Sequence, residues 1–281
     1  MPQYPLTPAG WTVSARSAVG PFPTHVTWRR ADGGVTEWAS RAHRKRTSSL
    51  AGRNAGVWWA PQRVSWWIGI LFALGSTCFF VGPFPGFVQL VGSEVDGIVF
   101  FVGSIFFTSA ATLQWLETIN AQQGPVTSDR GFRAVSFEPH RIDWWSSGVQ
   151  LVGTLFFNVN TFHAMQAGLD GQSYDRLVWT PDVVGSACFL VSGYLAYAEV
   201  CGGYLWAAHR GLDWKIAAVN LLGCIAFGIS AIAAFWVPSS GSVLDLAAAN
   251  VFTAFGGLCF LVGAILLLPE SAGHARAAAS V

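Results

Sequence analysis

Residues 65–83 read SWWIGILFALGSTCFFVGP. This stretch contains no Asp, Glu, Lys or Arg, and its length approaches the roughly 20 apolar residues that a helix needs to cross the hydrocarbon core of a bilayer. Trp66 and Trp67 stand near its start, and an indole, which is apolar but carries one N–H donor, favours the membrane interface. The stretch therefore predicts a transmembrane helix.

Five further stretches have the same character, so the sequence predicts six transmembrane helices. They cover residues 65–83, 97–116, 144–165, 182–200, 214–236 and 246–268. The 281 residues are 52% hydrophobic and only 11% charged, whereas a soluble domain has about 25% charged residues. Because too little polar surface remains to face water, the predicted fold class is an all-α membrane protein.

The basic residues predict the orientation of these spans. Fifteen of the sixteen Lys and Arg residues fall on one side of the predicted membrane, and Arg176 is the exception. Cytoplasmic segments of membrane proteins are enriched in Lys and Arg, so both termini are predicted to be cytoplasmic. The first 26 residues contain no continuous apolar core of the kind found in a secretory signal peptide.

An internal repeat runs through the spans, because each contains a Gly followed four residues later by a Phe. The odd spans add a Trp nine residues before the Gly, preceded by a residue that suits a helix N-cap. The even spans add a Glu fourteen residues after the Gly. The Gly/Phe pairs are 75/79, 103/107, 153/157, 185/189, 223/227 and 256/260; the predicted caps are Ser65, Asp143 and Asp213; the glutamates are Glu117, Glu199 and Glu270.

The repeating unit is a two-helix hairpin, and it occurs three times, at residues 65–118, 143–200 and 213–271. A unit with two spans restores its own orientation, so three copies predict a pseudo-threefold bundle about an axis normal to the membrane. A basic region, residues 1–64, precedes the bundle, and a tail, residues 272–281, follows it. Gly and Phe at this spacing are typical of close helix packing, but they leave open whether the bundle centre is packed or hollow.

Three of the spans contain Gly-Ser-x-x-Phe, and two of these are Gly103–Phe107 and Gly185–Phe189. In this motif and in its two-span units the chain resembles the YrhK-like small membrane domain of bacteria. The resemblance covers the spans and not residues 1–60, and Thr154, Cys224 and Gly257 replace the Ser elsewhere. It implies an uncharacterised membrane protein of a bacterial inner membrane and supplies no activity.

The N-terminal region predicts a short strand at 24–30, a turn at 31–34 and a helix at 35–46. The helix ends in the basic cluster Arg41, Arg44, Lys45 and Arg46. This cluster is either a solvated anchor that follows the positive-inside bias or a contact with anionic lipid headgroups or an acidic partner. Nucleic acid is not a predicted partner.

The three glutamates form the first candidate site. A carboxylate at the C-terminal end of a helix meets the negative end of the helix dipole and needs compensation. One interpretation is structural: the N-terminus of a neighbouring odd helix supplies N–H groups and a Trp donor. The other is a carboxylate ring at the cytoplasmic mouth of a path for cations or protons.

The third span supplies a second candidate site with Asn158, Asn160 and His163. Polar groups in lipid generally form hydrogen bonds between helices, and the alternative is a ligand site in the outward half of the bundle. Asp96, Asp182 and Asp245 near the outer starts of the even spans are interpreted as the acids of capping patterns. Ser93 and Ser242 precede two of them by three residues, and Thr180-Pro181-Asp182 is interpreted as cap, first turn and acid.

The sequence contains no nucleophile–base pair, acidic metal motif or nucleotide-binding loop, so no catalytic, cofactor or metal site is predicted and an enzyme is disfavoured. Four of the five cysteines lie in apolar runs, where a thiol is usually a small packing residue. The leading prediction is a structural or lipid-interacting membrane component. The alternative is a carrier or channel for a small solute or ion, with its path near the pseudo-threefold axis.

Overall fold

The structure is a computed structural model that describes residues 5–47, 58–121, 124, 131–166, 168–205 and 211–279; the side chains of residues 45–47 and 271–279 fall outside that description. A small antiparallel sheet comes first, with β1 (Thr12–Val19) paired to β2 (Phe22–Arg29) and β2 paired to β3 (Val35–Ala39). Val26, Trp28 and Trp38 form its core. A short helix, α1 (Ser40–Thr47), follows the sheet.

The predicted strand at 24–30 and the turn after it are confirmed: β2 covers most of that range, and the Arg30 amide donates to the Gly34 carbonyl oxygen at 2.8 Å. The predicted helix at 35–46 is wrong in its first half. Residues 35–39 pair with β2 instead, because alternation places Trp38 in the sheet core with 1% of its surface exposed. The helix begins only at Ser40.

Six long helices make up the rest of the fold. Their ends lie within about four residues of the ends of the predicted spans, except that the last helix continues past its predicted end at residue 268. The helix of the fourth span continues directly from a shorter helical segment that begins at Gly171. The helices are α2 (Val64–Val81), α4 (Ser93–Ile119), α5 (Ile142–Ala164), α7 (Thr180–Cys201), α8 (Leu212–Ala233) and α9 (Leu246–Ala279). Short elements connect them: α3 (Pro85–Val91), α6 (Gly171–Tyr174), a π-helical turn (Asp175–Trp179), and the strands β4 (Trp236–Val237) and β5 (Ser242–Val243).

The six long helices form a closed ring in chain order. Each packs against the next one along the chain, and α9 packs against α2 to close the ring. The first, third and fifth long helices, α2, α5 and α8, correspond to the odd predicted spans, and we call them the odd helices. They alternate with the second, fourth and sixth, α4, α7 and α9, which we call the even helices. Helix α1 contacts all three even helices, so the N-terminal sheet and α1 lie at one end of the ring. We call this the sheet end and the opposite one the far end.

Five of the six helices are long and apolar enough to cross a membrane; α5 is not among them. The chain is therefore mostly helical with several candidate membrane-spanning helices, which is consistent with a multi-pass membrane protein. Helix α5 carries Gln150, Asn158, Asn160 and His163, whose polar groups lower its hydropathy.

The odd helices do not begin where the sequence predicts. Their N-cap residues are Arg63, Arg141 and Gly211, none with a capping side chain, so the predicted caps Ser65, Asp143 and Asp213 lie inside the first turn. The helix takes in one more apolar residue before each of them, such as Ile142, which is 1% exposed. The Asp143 carboxylate is bound by arginines instead.

The loops before α2 and α5 have the same geometry. The Trp66 indole donates to the carbonyl oxygen of Trp58 at 3.0 Å, and Trp144 donates to that of Ser136 at 2.9 Å, eight residues back in both cases. The next Trp in each helix donates six residues back, to Pro61 and to Pro139. Each pair of indoles therefore fixes the loop that leads into its helix.

Candidate functional site

Six phenylalanines, one from each long helix, meet at the centre of the ring. They are the Phe residues of the Gly/Phe pairs, at most 6% exposed, and they lie in one core cluster: Phe79, Phe107, Phe157, Phe189, Phe227 and Phe260. Those of the odd helices form one triangle, with ring centroids 5.8–6.3 Å apart. Those of the even helices form a second, also with centroids 5.8–6.3 Å apart. The centre of the ring is therefore filled by side chains at this level. The sequence did not decide between a packed and a hollow centre.

The glycine of each pair makes room for these rings. A Cβ on Gly75 would lie 2.6 Å from the Phe107 ring of the partner helix, and one on Gly103 would lie 3.3 Å from the Gly75 carbonyl oxygen. The same reciprocal contact joins Gly153 with Gly185. It joins Gly223 with Gly256 as well. Each hairpin thus brings its two backbones together at the level of the phenylalanines.

A cavity of about 80 Å³ lies between the phenylalanines and the sheet end. Phe189 and Phe260 are among its lining residues, together with polar side chains from several helices: Gln114, Glu117, Asp143, Ser146, Gln150 and Asn220. The Gln114 amide donates to Gln150 at 3.0 Å. Arg41 and Arg44 of α1 also line this sheet-end cavity, and among its described lining residues they alone are basic.

Ion pairs join α1 to the ring at this end. Arg41 donates through two nitrogens to the Glu270 carboxylate, at 2.9 and 3.2 Å. Arg44 lies 3.1 Å from Asp143 and 3.4 Å from Glu199, and the Ser40 hydroxyl donates to Glu199 at 2.6 Å. The side chains of the three acids are only 1–2% exposed, so these are buried, charge-assisted contacts.

The surrounding carboxylates keep the Arg44 side chain positively charged. Burial by itself would lower the pKa of Arg44, but the carboxylates of Glu199, Asp143 and Glu117 together raise that pKa above its usual value. Asp143 is also bound by Arg141, whose guanidinium donates to both carboxylate oxygens. A network of alternating charges thus runs from α1 into the start of α5.

A larger cavity, about 330 Å³, lies on the other side of the phenylalanines. The odd-helix triangle of Phe79, Phe157 and Phe227 forms part of its lining. Two carboxylates from the even helices α4 and α7, Asp96 and Asp182, face it together with Asn160 and Asn250. None of the described residues that line this far cavity is basic.

The three predicted glutamates are all buried at the sheet end, where they make different contacts. Glu117 lines the sheet-end cavity, whereas Glu199 and Glu270 are bound by Arg44 and Arg41. Sequence reasoning missed these partners, which belong to α1 and not to an odd helix. The sequence contains one indication of these partners. The basic cluster Arg41 to Arg46 lies on the same side of the predicted membrane as the three glutamates, whose negative charges need compensation.

The second candidate site separates into different contacts. Asn158 accepts from the Thr108 hydroxyl at 3.1 Å, and Asn160 donates to Asp182 at 3.1 Å. Both are hydrogen bonds between helices, and of the three predicted residues only Asn160 lines the far cavity. The His163 ring lies against its neighbour Phe162.

Of the three acids in the predicted capping patterns, Asp245 accepts from the Ala248 amide at 2.9 Å and itself caps α9. Asp182 lies in the first turn of α7, as predicted, but its side chain binds Asn160, and that of Asp96 faces the far cavity. The predicted caps are wrong: Gly92 and not Ser93 is the N-cap of α4, Ser242 lies in β5, and the Thr180 hydroxyl donates to the Asp175 carbonyl oxygen at 2.7 Å within a helical segment that begins at Gly171.

Arg41 and Arg44 of the basic cluster point into the ring, whereas the side chains of Lys45 and Arg46 lie outside the described residues. A contact with anionic lipid therefore remains a prediction that rests on the latter two residues.

No protein-family model, no curated protein and no solved structure matches this chain. The resemblance to the YrhK-like membrane domain therefore stays a prediction from the Gly-Ser-x-x-Phe motif.

Proposed function

We propose that this chain is a six-span membrane protein, built from three tandem hairpins, that provides a narrow path for small cations along the axis of its ring. The path is closed in this structure. The sheet end faces the cytoplasm and the far end faces the outside, because the Lys and Arg residues concentrate on the side of the sheet end.

The packing of α5 supports a sixth span. Helix α5 lies in the ring between α4 and α7, and its polar amides bond to those two neighbours. Its outward surface is apolar, with Val152, Leu155, Val159 and Phe162 between 43% and 50% exposed. A helix that satisfies its amides against neighbours and turns aliphatic side chains outward suits a lipid environment.

Repeated contacts inside the ring support the proposal that the chain consists of three tandem hairpins. The two phenylalanine triangles have the same dimensions, and the reciprocal Gly/Phe contact occurs in each hairpin. The loops before α2 and α5 also repeat their Trp hydrogen bonds at identical spacings. These features relate equivalent positions in successive hairpins and favour a pseudo-threefold arrangement.

The observation that carries the proposed path is a polar cavity on each side of the phenylalanine layer. A bundle needed only as an anchor can fill its interior with apolar side chains, whereas ionisable groups inside a membrane protein generally face water or a solute. Glu117 and Asp143 line one cavity, and Asp96 and Asp182 line the other. Among the described residues that line the two cavities, the basic ones belong to α1, so the ring itself favours cations.

The test removes both closures together. In the opened variant, Phe79, Phe157 and Phe227 are changed to Ala, and Arg41 and Arg44 are changed to Ala. In liposomes containing K⁺ and Cl⁻ gradients, we expect this variant to pass K⁺ roughly tenfold or more faster than the wild type and to exclude Cl⁻, because carboxylates line the route. The matched control changes Phe162 and Phe255, which are 48% and 41% exposed on the outside of the ring, to Ala.

A second candidate function, a structural or lipid-interacting membrane component, is favoured by the tightly packed centre of the ring. Ion pairs that dock the N-terminal sheet are sufficient for such a role. A correctly folded opened variant that passes neither ion would favour this function and reject the path.

If the opened variant aggregates, Phe→Val at positions 79, 157 and 227 replaces Phe→Ala. Valine lacks the aromatic ring that closes the centre but keeps an apolar side chain there.

A further inference from the structure

Helix α1 lies across the sheet end of the ring, in contact with one helix from each hairpin, α4, α7 and α9. Arg41 reaches Glu270 on α9, and Arg44 reaches Glu199 on α7 and Asp143 on α5. Both arginines line the sheet-end cavity. Their guanidinium groups therefore lie where a cation entering the ring from this side would arrive.

We propose that α1 is a tethered plug that autoinhibits the ring: Arg41 and Arg44 occupy its acidic mouth, and their release opens the sheet-end cavity. This inference rests on the proposed cation path and identifies how that path is regulated. The arginines act in two ways. They fill the mouth sterically, and they neutralise the carboxylates that would otherwise attract cations.

The contacts that hold α1 are mainly ionic. Its sequence, SRAHRKRT, offers one Ala and no larger aliphatic side chain, so little apolar surface is buried by the helix itself. The sheet adds one apolar contact, in which Val19 and Phe22 pack near Ile142 and Ala198. Because so little apolar surface of α1 is buried with these ion pairs, α1 can separate from the ring without disturbing the packing between the long helices.

The arrangement also explains why two arginines face the ring. Arg41 donates bidentately to Glu270, and Arg44 bridges acids on two helices. A guanidinium presents several donors in a fixed plane, so two such side chains can hold a short helix in one orientation across three helix ends. A single lysine offers no comparable geometry.

The test compares four full-length proteins in liposomes: the wild type, the Phe79/Phe157/Phe227→Ala variant, the Arg41/Arg44→Ala variant, and the variant with both sets of changes. We expect the phenylalanine variant with its plug intact to pass K⁺ roughly tenfold more slowly than the variant with both sets, because a cationic plug repels cations. Equal flux through these two proteins would overturn the plug and leave the path intact. No flux through either would overturn both proposals.

Docking is measured separately by amide hydrogen exchange of peptides that cover Ser40–Thr47. Arg41→Ala with Arg44→Ala should abolish the protection of α1, and Arg29→Ala with Arg30→Ala, two exposed residues, should leave it unchanged. The charge-swapped pair Arg41→Glu with Glu270→Arg should restore the protection that either change removes alone. Protection that persists without both arginines would show that the ion pairs do not hold the plug, whatever the flux.

Discussion

The Arg44 guanidinium lies between α5 and α7, 3.1 Å from Asp143 and 3.4 Å from Glu199. Its side chain is 9% exposed and those of the two acids are 1–2% exposed. Replacing a whole buried ion pair by apolar side chains changes stability little, but removing one partner leaves the other charge buried. Without Arg44 the buried Glu199 carboxylate loses the compensating charge of this arginine, whereas Asp143 is still bound by Arg141. Loss of Arg44 therefore destabilises the protein mainly through Glu199.

We predict that Arg44→Ala lowers the free energy of unfolding by about 3–5 kcal/mol, the usual cost of breaking a buried pair. Denaturant titration of the purified protein in detergent measures the change. The control is Arg30→Ala, since Arg30 and its partner Asp32 are 44% and 66% exposed, and a shift within about 0.5 kcal/mol is expected there. Equal shifts for the two variants would contradict the buried network.

Glu117 differs from the other two glutamates because it lines the sheet-end cavity. We predict that Glu117→Gln, placed in the opened variant, reduces K⁺ flux roughly tenfold, since one fixed charge is lost from the lining of a narrow path. Glu94→Gln, at an exposed position in the first turn of the same helix, should leave the flux unchanged. An unaltered flux in Glu117→Gln would place the cation route elsewhere.

At the scale of elements, the contact between α2 and α9 is the one that closes the ring. Gly257 lies in it, and a Cβ there would stand 2.6 Å from the Phe80 amide nitrogen and 2.8 Å from the Phe79 carbonyl carbon. These are backbone atoms, which cannot swing aside as a side chain can. The Gly-Gly that replaces Gly-Ser in the last span is therefore required by the closing contact.

We predict that Gly257→Ala destabilises the protein by about 1–3 kcal/mol, as overpacking of a filled interior does. The midpoint of thermal unfolding should fall in step, and Gly86→Ala serves as the control because a Cβ on Gly86 meets nothing within 4 Å. If Gly257→Ala melts like the wild type, α2 and α9 are not in contact at this residue.

The elements were predictable where composition alone decides them. Long apolar runs located the long helices, and the recurrence of a Phe four residues after a Gly indicated that both are packing residues. Residues 35–39 were misassigned because the basic residues that follow suit a helix, while Trp38 joins the core of a sheet that forms only when all three strands meet. The predicted span at 182–200 begins two residues inside α7, but it missed the helical segment that leads into α7 from Gly171, because the run Gly171–Asp175 is polar.

The sequence indicated three of the acids at the sheet end but not their partners, and it predicted Asp143 only as a helix cap. The common offset of Glu117, Glu199 and Glu270 from their glycines marked these three as equivalent positions, and all three are buried in the structure. Their partners could not be inferred, because Arg41 and Glu270 are 229 residues apart in the chain and Arg44 and Glu199 are 155 apart. No local pattern specifies such a pairing, which depends on how the N-terminal sheet docks against the ring.

For the molecule as a whole, the proposed orientation has a direct consequence. We predict that a green fluorescent protein fused after Val281 fluoresces and that an alkaline phosphatase fused there is inactive, because the proposed orientation places the tail in the cytoplasm. The same reporters inserted after Gly241, in the far-end loop between β4 and β5, should give the opposite result. An active phosphatase at Val281 would invert the proposed topology.

The central claim, two polar cavities separated by a phenylalanine layer, is tested most directly by cysteine accessibility. Single cysteines are placed at Asn250 in the far cavity, at Gln114 in the sheet-end cavity and at Phe107 in the layer, in a background without the native cysteines. A membrane-impermeant thiol reagent should label position 250 only from the far side and position 114 only from the sheet side. Labelling of position 114 should become faster when Arg41 and Arg44 are changed to Ala. Position 107 should be labelled from neither side. Labelling of position 107, or of positions 114 and 250 from the same side, would contradict a closed path with one cavity at each end.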